Sequence, residues 1–184
     1  MYETIRIVKK VKPKYILWEN VKNLVSDKHI YNFRKYLDAI AKMGYNNYYS
    51  ILNSNNYGIP QGRDRIFTLS IRDDIDDKQF EFPLKQVLKN TYKDYLEENY
   101  LDYNIQILLK PNHLKRLKGH QDYEVDYGFG GKLLQEDDKE VPTIVSQYGI
   151  SCGNGCSIKC KEGCRRLTPR ECWRLMRFYR WKFW

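Results

Sequence analysis

The first 72 residues alternate between helix-like and strand-like apolar patterns, and this alternation limits the fold more than any other feature of the sequence. Ile5, Val8 and Val11 follow a helical rhythm that Pro13 stops. The short apolar run 15–18 follows at once, and its length and composition are typical of a buried parallel strand. Residues 19 and 20 fall where that strand is expected to end.

A second helix and two further strands are predicted after this strand. Apolar residues repeat at helical spacing from Ile30 to Ile40, and Gly44 closes that helix. Residues 45–52 are rich in strand-forming types, 53–62 contain many turn formers, and 65–71 alternate into another strand. This succession predicts an α/β fold that contains the second half of an open, Rossmann-like sheet.

The composition changes after Pro83, which predicts a second, smaller part of the chain. Residues 84–164 are rich in Tyr, Lys, Asp and Glu with weak periodicity, typical of a small irregular α+β lobe. Thr168 to Glu171 form a capping box with proline at the first helical position, so a helix is predicted beyond them. We therefore expect three segments: 1–83, 84–164 and 165–184.

The net charge of the chain favours a polyanionic partner. Its formal charge is +9 and its isoelectric point is about 9.2, and basic side chains displace the counterions that phosphates condense. Within the lobe, a basic cluster is a candidate DNA-binding surface, although a solvated helix face fits the same pattern equally well. The cluster contains Lys110, His113, Lys115, Arg116, Lys118 and His120.

The sequence has no apolar run long enough to cross a bilayer and no apolar core of a secretory signal near residue 1, which predicts a cytoplasmic location. Disulfides are not expected there. Four cysteines recur at every fourth residue, and this spacing fits a cysteine-rich loop better than a zinc site, whose ligands usually form tighter pairs. They are Cys152, Cys156, Cys160 and Cys164.

Three short motifs, in order, carry the functional signal. They are Trp18-Glu19-Asn20-Val21, the segment Gly58-Ile59-Pro60-Gln61-Gly62-Arg63-Asp64-Arg65, and Arg165 to Phe178, which contains Arg-Arg-Leu-Thr-Pro-Arg-Glu. Each resembles a motif of the C5-cytosine-specific DNA methyltransferases, namely Glu-Asn-Val, Gln-x-Arg-x-Arg and Arg-x-Leu-Thr-x-x-Glu. Three motifs in the family's order are a much more specific signal than any one of them.

The resemblance implies a class I S-adenosylmethionine-dependent methyltransferase sheet with a target-recognition lobe at 84–164, acting on a cytosine flipped out of double-stranded DNA. Glu19 would activate the base and Arg65 would contact its O2 oxygen, while Asn20, Gln61 and Arg63 would support the same pocket. Arg63 and Arg65 are expected to point the same way from one strand. The third motif adds Arg165 and Thr168 to the expected DNA-binding residues.

Two family features are absent from these 184 residues: no proline precedes a cysteine, and no glycine-rich loop follows a strand near the start. The family uses them for its nucleophile and for S-adenosylmethionine. The glycines at 128–131 lie in the lobe and do not replace that loop, and none of the five cysteines is expected to replace the nucleophile. Arg177 also stands where the family usually has glycine.

We therefore expect a partial, bacterial or phage-encoded DNA (cytosine-5-)-methyltransferase from a restriction-modification or phage setting, inactive alone. Alternatively, a complementary chain supplies the N-terminal half of a split enzyme, or the protein is a DNA-binding remnant without catalysis. A transfer RNA substrate fits the same motifs.

Overall fold

The computed structural model describes residues 1–102, 107–110, 131–146, 148 and 155–178. The chain divides into two compact units, and the first comprises Met1–Asn53 and Asp64–Lys85. The second comprises Ser54–Arg63 and Gln86–Trp184. Within the described part of the chain, no helix is long and apolar enough to cross a membrane.

The first unit contains a three-stranded sheet with two helices. Its elements are α1 (Tyr2–Val11), β1 (Tyr15–Val21), α2 (Ile30–Ala41), β2 (Tyr45–Asn53) and β4 (Asp64–Arg72). The strand order is β1-β4-β2, and β4 runs antiparallel to both neighbours. The mixed α/β organisation, both predicted helices and the strands over 45–52 and 65–71 are confirmed.

The prediction of a buried parallel strand at 15–18 is wrong. The strand β1 pairs antiparallel with β4, with Tyr15 opposite Ile71. Its side chains alternate in exposure, because only one face of the sheet packs on a helix: Ile16 is buried, whereas Tyr15 and Leu17 are exposed. An uninterrupted apolar run can therefore belong to a strand that is buried on one face.

The core of the first unit lies between α2 and the sheet. Trp18 of β1 packs on Tyr36 of α2 with 4.3 Å between ring centroids, and it also stacks on Phe33. After α2 the chain turns at Gly44, which has a φ of 84° that glycine adopts without strain. The buried core residues are Val8, Ile16, Phe33, Tyr36, Ile40, Tyr45 and Ile66.

Within the described residues, the second unit has short strands and one α-helix. Its elements are β3 (Gln61–Gly62), β5 (Lys132–Leu133), β6 (Val141–Pro142), β7 (Cys156–Cys160), β8 (Gly163–Arg165) and α3 (Pro169–Leu175). The strand β3 pairs parallel with β6, and β5, β7 and β8 form a second small sheet. Its core residues are Tyr92, Tyr95, Leu134, Val141, Tyr148, Cys156, Ile158, Leu167 and Leu175.

The predicted capping box at the start of α3 is confirmed. The Thr168 hydroxyl accepts a hydrogen bond from the Glu171 backbone N–H at 3.1 Å. The Glu171 carboxylate in turn accepts from the Thr168 N–H at 2.7 Å. These bonds satisfy two of the backbone donors that a helix leaves without partners at its first turn.

Candidate functional site

The first motif and the end of the second meet in the first unit through Glu19 and Arg65. Glu19 lies opposite Phe67 in the strand pair, and Arg65 lies opposite Val21, so the two side chains are diagonal neighbours on one face of the sheet. The Arg65 Nε atom donates to the Glu19 carboxylate at 2.9 Å. The Glu19 side chain is 47% exposed and that of Arg65 is 22% exposed. A carboxylate with a guanidinium beside it is thus presented on an accessible sheet face.

Asp64 fixes the start of the strand that carries Arg65. Its carboxylate accepts hydrogen bonds from Lys22 Nζ at 2.9 Å and from Asn53 Nδ2 at 2.8 Å. The Lys22 bond is the main cause that lowers the pKa of Asp64 below its ordinary value. The Asp64 carbonyl also accepts from Arg65 Nη1 at 2.7 Å. One residue therefore links the turn after β1, the end of β2 and the Arg65 side chain.

The roles of Lys22, Asn53 and Asp64 were missed by the sequence reasoning. Asp64 lies inside the second motif, between two arginines, and Lys22 comes three residues after Glu19. Their position next to motif residues could have indicated that they lie near the site. Their pairing could not be predicted, because Lys22 and Asp64 are 42 residues apart in sequence.

Asn20 and Gln61, two of the expected supporting residues, lie at the end of β1 and in β3 respectively. The Asn20 side-chain oxygen accepts from the Val21 N–H at 2.8 Å at the end of β1. Gln61 is buried in β3, opposite Val141 of β6 in the second unit. Its backbone carbonyl accepts from the Ser54 hydroxyl at 2.5 Å.

Arg63 is not on a strand with Arg65, contrary to expectation. It lies between β3, which ends at Gly62, and β4, which begins at Asp64. Its carbonyl accepts a hydrogen bond from the Ser54 N–H at 3.2 Å in the second unit. The expectation that Arg63 and Arg65 point the same way required both to lie in one strand, and Arg63 lies outside β4.

Arg165 and Thr168 lie in the interior of the second unit rather than on the surface that the DNA-binding prediction assumed. The side chain of Arg165 is 2% exposed and makes a bidentate ion pair with Glu171, at 2.8 and 2.7 Å. Thr168 is fully buried, and its hydroxyl donates to the Glu97 carboxylate at 2.7 Å. Both side chains thus hold the start of α3 in place, because a bidentate pair fixes its partners in one geometry.

The predicted basic cluster falls largely outside the described residues. Lys110 is described and is exposed. The other members, His113, Lys115, Arg116, Lys118 and His120, lie outside the described ranges, as do the glycines at 128–130.

Burial makes the four described cysteines poor nucleophiles. It raises the pKa of Cys156 and of Cys172 to about 12, and it also raises the pKa values of Cys160 and Cys164. A thiol with a raised pKa is protonated at neutral pH, and the thiolate is the reactive form. These four thiols therefore lack the activation that covalent catalysis requires.

No group of three or more His, Cys, Asp or Glu side chains within the described ranges is arranged to hold a metal ion. Of the four regularly spaced cysteines, Cys156 and Cys160 lie at the two ends of β7 and Cys164 lies in β8. Cys152 lies outside the described residues.

Comparison with protein families gives a match over nearly the whole chain. The family model described as C-5 cytosine-specific DNA methylase matches residues 1–183. The chain is 39% identical over 180 residues to the type II methyltransferase M2.ScrFI of Lactococcus lactis subsp. cremoris, covering 96% of this chain and 47% of that protein. It is 34% identical over 176 residues to M.Bsp6I of Bacillus sp. (strain RFL6), covering 93% and 56% respectively. The chain thus spans about half the length of these curated relatives.

Solved structures with the same fold include two methyltransferases. The Schizosaccharomyces pombe Dnmt2 methyltransferase superposes with a TM-score of 0.68 at 21% identity, covering 98% of this chain and 62% of that one. The Entamoeba histolytica methyltransferase EhMeth gives 0.68 at 18% identity, covering 94% and 55%. At these identities the comparison shows that the chain shares their fold.

Proposed function

Because this chain belongs to the C-5 cytosine-specific DNA methylase family, we propose that it supplies the base-holding carboxylate and arginine of a DNA (cytosine-5-)-methyltransferase. One observation carries the proposal: Glu19 and Arg65, 46 positions apart in sequence, pair at 2.9 Å on one accessible sheet face. The contact brings the carboxylate of one motif and the guanidinium of the other close enough to address one base, which supports the proposal.

The pair fits the electronic demands of the reaction. Methylation at C5 requires a nucleophile to add at C6, which places negative charge on the cytosine ring. The Glu19 carboxyl would share a proton with N3 and accept from the N4 amine, while the Arg65 guanidinium would donate to O2. Hydrogen bonds directed at developing charge lower the barrier more than they stabilise the substrate.

The residues present here do not by themselves fit S-adenosylmethionine. These 184 residues contain no glycine-rich loop after a strand near the start, which is the element that the family uses to bind this cofactor. In the proposal, polypeptide outside these 184 residues binds it and also carries the thiolate, since these residues contain no Pro-Cys pair.

The remaining parts of the proposal follow the family. Residues 84–164 would form the target-recognition lobe, 1–83 and 165–184 would belong to the catalytic part, and duplex DNA would be the partner. The names of the relatives, all type II methyltransferases, support a restriction-modification setting. Alone, the chain is expected to transfer no methyl groups.

Reconstitution tests this proposal. The chain would be co-expressed with the part of the Lactococcus lactis relative that lies outside the matched region, and methyl transfer from labelled S-adenosylmethionine to duplex DNA would be measured. We expect transfer from the pair and none from either part alone. Transfer by the purified chain alone, or none from the co-purified pair, would contradict the proposal.

A second candidate function is DNA binding without catalysis. The formal charge of +9 favours it, because basic side chains are attracted to phosphates. It predicts duplex binding that weakens steeply with salt and no methyl transfer under any reconstitution. Binding with a flat salt dependence would exclude it.

A further inference from the structure

The strongest unassigned feature of the second unit is an arginine held in a conformation that favours glycine. Arg177 follows α3 and has a φ of 66°, in the left-handed region. The turn is closed by backbone bonds from the Arg177 N–H to Arg174 O at 2.8 Å and from the Phe178 N–H to Trp173 O at 3.0 Å. Glycine commonly takes this position after a helix, so an arginine there carries a strain cost.

The Arg177 side chain lies over a second turn that also requires glycine. Gly58 has a φ of 82°, and a Cβ atom at that position would stand 3.1 Å from Arg177 Nη1. The absence of a side chain at Gly58 therefore leaves the space that the guanidinium occupies. Both residues of this contact, Arg177 and Gly58, therefore have a backbone conformation that favours glycine, but only one of them is a glycine.

A cavity of about 430 Å³ surrounds this contact. One wall is anchored by the Gln86 N–H, which donates to the Asn56 carbonyl at 2.7 Å. The buried Tyr95 accepts a hydrogen bond from Asn90 Nδ2 at 3.4 Å. The lining residues, all in the described part of the chain, include two cations and no carboxylate: Gly58, Gln86, Val87, Lys89, Asn90, Tyr95 and Arg177.

We propose that Arg177 and Lys89, over the Gly58 turn, bind a backbone phosphate of duplex DNA. This inference rests on the proposed function for its choice of DNA. A guanidinium and an ammonium supply strong donors for phosphate oxygens, and the Gln86 and Asn90 amides can add further ones. The cavity is larger than a phosphate group, which suits a phosphate that arrives with its flanking sugars.

Arg177→Gly tests the site because it relieves the strain and removes the contact at once. We expect its melting temperature to rise by about 2–4 °C. We also expect duplex binding to weaken about tenfold. The slope of log affinity against log salt should decrease in magnitude by about 1, which corresponds to the loss of one phosphate contact. Arg177→Lys should keep most of that slope.

Lys12→Gly is the matched control. Lys12 also follows a helix, α1, with a positive φ of 47°, and it carries the same charge as Arg177 but lies in the first unit. This variant should gain stability in the same way, yet leave the salt slope unchanged. If both variants lost the same amount of salt slope, the effect would come from the change in net charge alone, and the proposal would be overturned.

The remaining outcomes separate this inference from the proposed function. If the natural chain binds duplex DNA and Arg177→Gly binds with the same slope, the phosphate site is wrong and the proposed function stands. If the natural chain fails to bind DNA at low salt, the phosphate site is wrong, while the proposed function is decided by methyl transfer from the reconstituted pair. Inorganic pyrophosphate could raise the melting temperature of the natural chain but not that of Arg177→Gly, with both proteins binding duplex DNA with the same salt slope. In that case the pocket binds free phosphates, and its assignment to DNA is overturned.

Discussion

Glu19 in β1 and Arg65 in β4 are diagonal neighbours across an antiparallel strand pair, joined by an ion pair of 2.9 Å on the sheet face opposite α2. The helix packs on the other face, where Trp18 contacts Tyr36. The core side of β1 therefore maintains the fold, and its outer side is available to a ligand. This separation allows the proposed base-holding pair to be changed without disturbing the core.

Glu19→Gln should leave the stability of the chain almost unchanged. The pair is partly exposed, and exposed ion pairs contribute about 0.2–1 kcal/mol. We expect the free energy of unfolding in urea to fall by no more than about 1 kcal/mol. Glu3→Gln, which breaks the exposed Glu3–Arg6 pair of α1, is the control and should behave alike. A loss several times larger at Glu19 alone would show that the carboxylate holds the fold together.

Glu171→Gln should destabilise the second unit strongly. It removes one partner of a fully buried bidentate pair and leaves the Arg165 charge uncompensated, which costs about 3–5 kcal/mol. Asp74→Asn, which breaks the more exposed Arg72–Asp74 pair, should cost less than about 1 kcal/mol. Chemical denaturation followed by circular dichroism measures both. Equal small losses would contradict the structural role given to Arg165.

The same substitution, tyrosine to phenylalanine, should have opposite effects at two buried positions in one core. The Tyr36 hydroxyl has no hydrogen-bond partner among the described residues, so Tyr36→Phe is expected to stabilise by about 1 kcal/mol. The Tyr45 hydroxyl donates to the Pro13 carbonyl at 2.7 Å, so Tyr45→Phe should destabilise by about 1 kcal/mol. Thermal unfolding of both variants gives the comparison, and shifts of the same sign would disprove it.

Cys156 and Cys172 should resist alkylation in the folded chain. Their pKa values of about 12 leave them protonated at pH 7.5, and both become reactive once urea exposes them. Cys160 is less buried than Cys156 and should be modified first. Mass spectrometry after iodoacetamide treatment identifies the order. Rapid native alkylation of Cys156 would contradict the burial described here.

The same thiols predict how stability depends on alkaline pH. Their folded pKa values are raised above the ordinary value of 9.0, so the unfolded chain releases these protons at lower pH than the folded chain. Their contribution is therefore complete below about pH 9 and is lost as pH rises toward 12. Cys172→Ala should reduce this alkaline loss in urea titrations. An unchanged pH dependence would mean that the thiol ionises equally in both states.

Features set by local chemistry were predictable from the sequence. The helix beginning at Ile30 follows from apolar spacing, and the cap at Thr168 follows from side chains three residues apart. The pairing of β1 with β4 was not predictable, because it depends on residues about 50 positions apart. The apolar run at 15–18 fits a strand buried on one face or on both, and only its neighbours distinguish the two.

The candidate site divides in the same way. The motifs identified Glu19 and Arg65 by resemblance, and the strand register then accounts for their contact. The burial of Arg165 was not foreseen, since arginine is usually exposed and becomes buried only with a partner such as Glu171. Asp64 went without a role because its partners, Lys22 and Asn53, lie outside its motif.

The most direct test of the central claim is methyl transfer by the reconstituted enzyme carrying Glu19→Gln. With the complementary part present, the natural chain and Glu3→Gln should methylate duplex DNA at equal rates. Glu19→Gln should be slower by at least about 100-fold, since it loses the proton that the carboxyl shares with the base. A Glu19→Gln enzyme that methylates at the natural rate would show that Glu19 does not activate the cytosine.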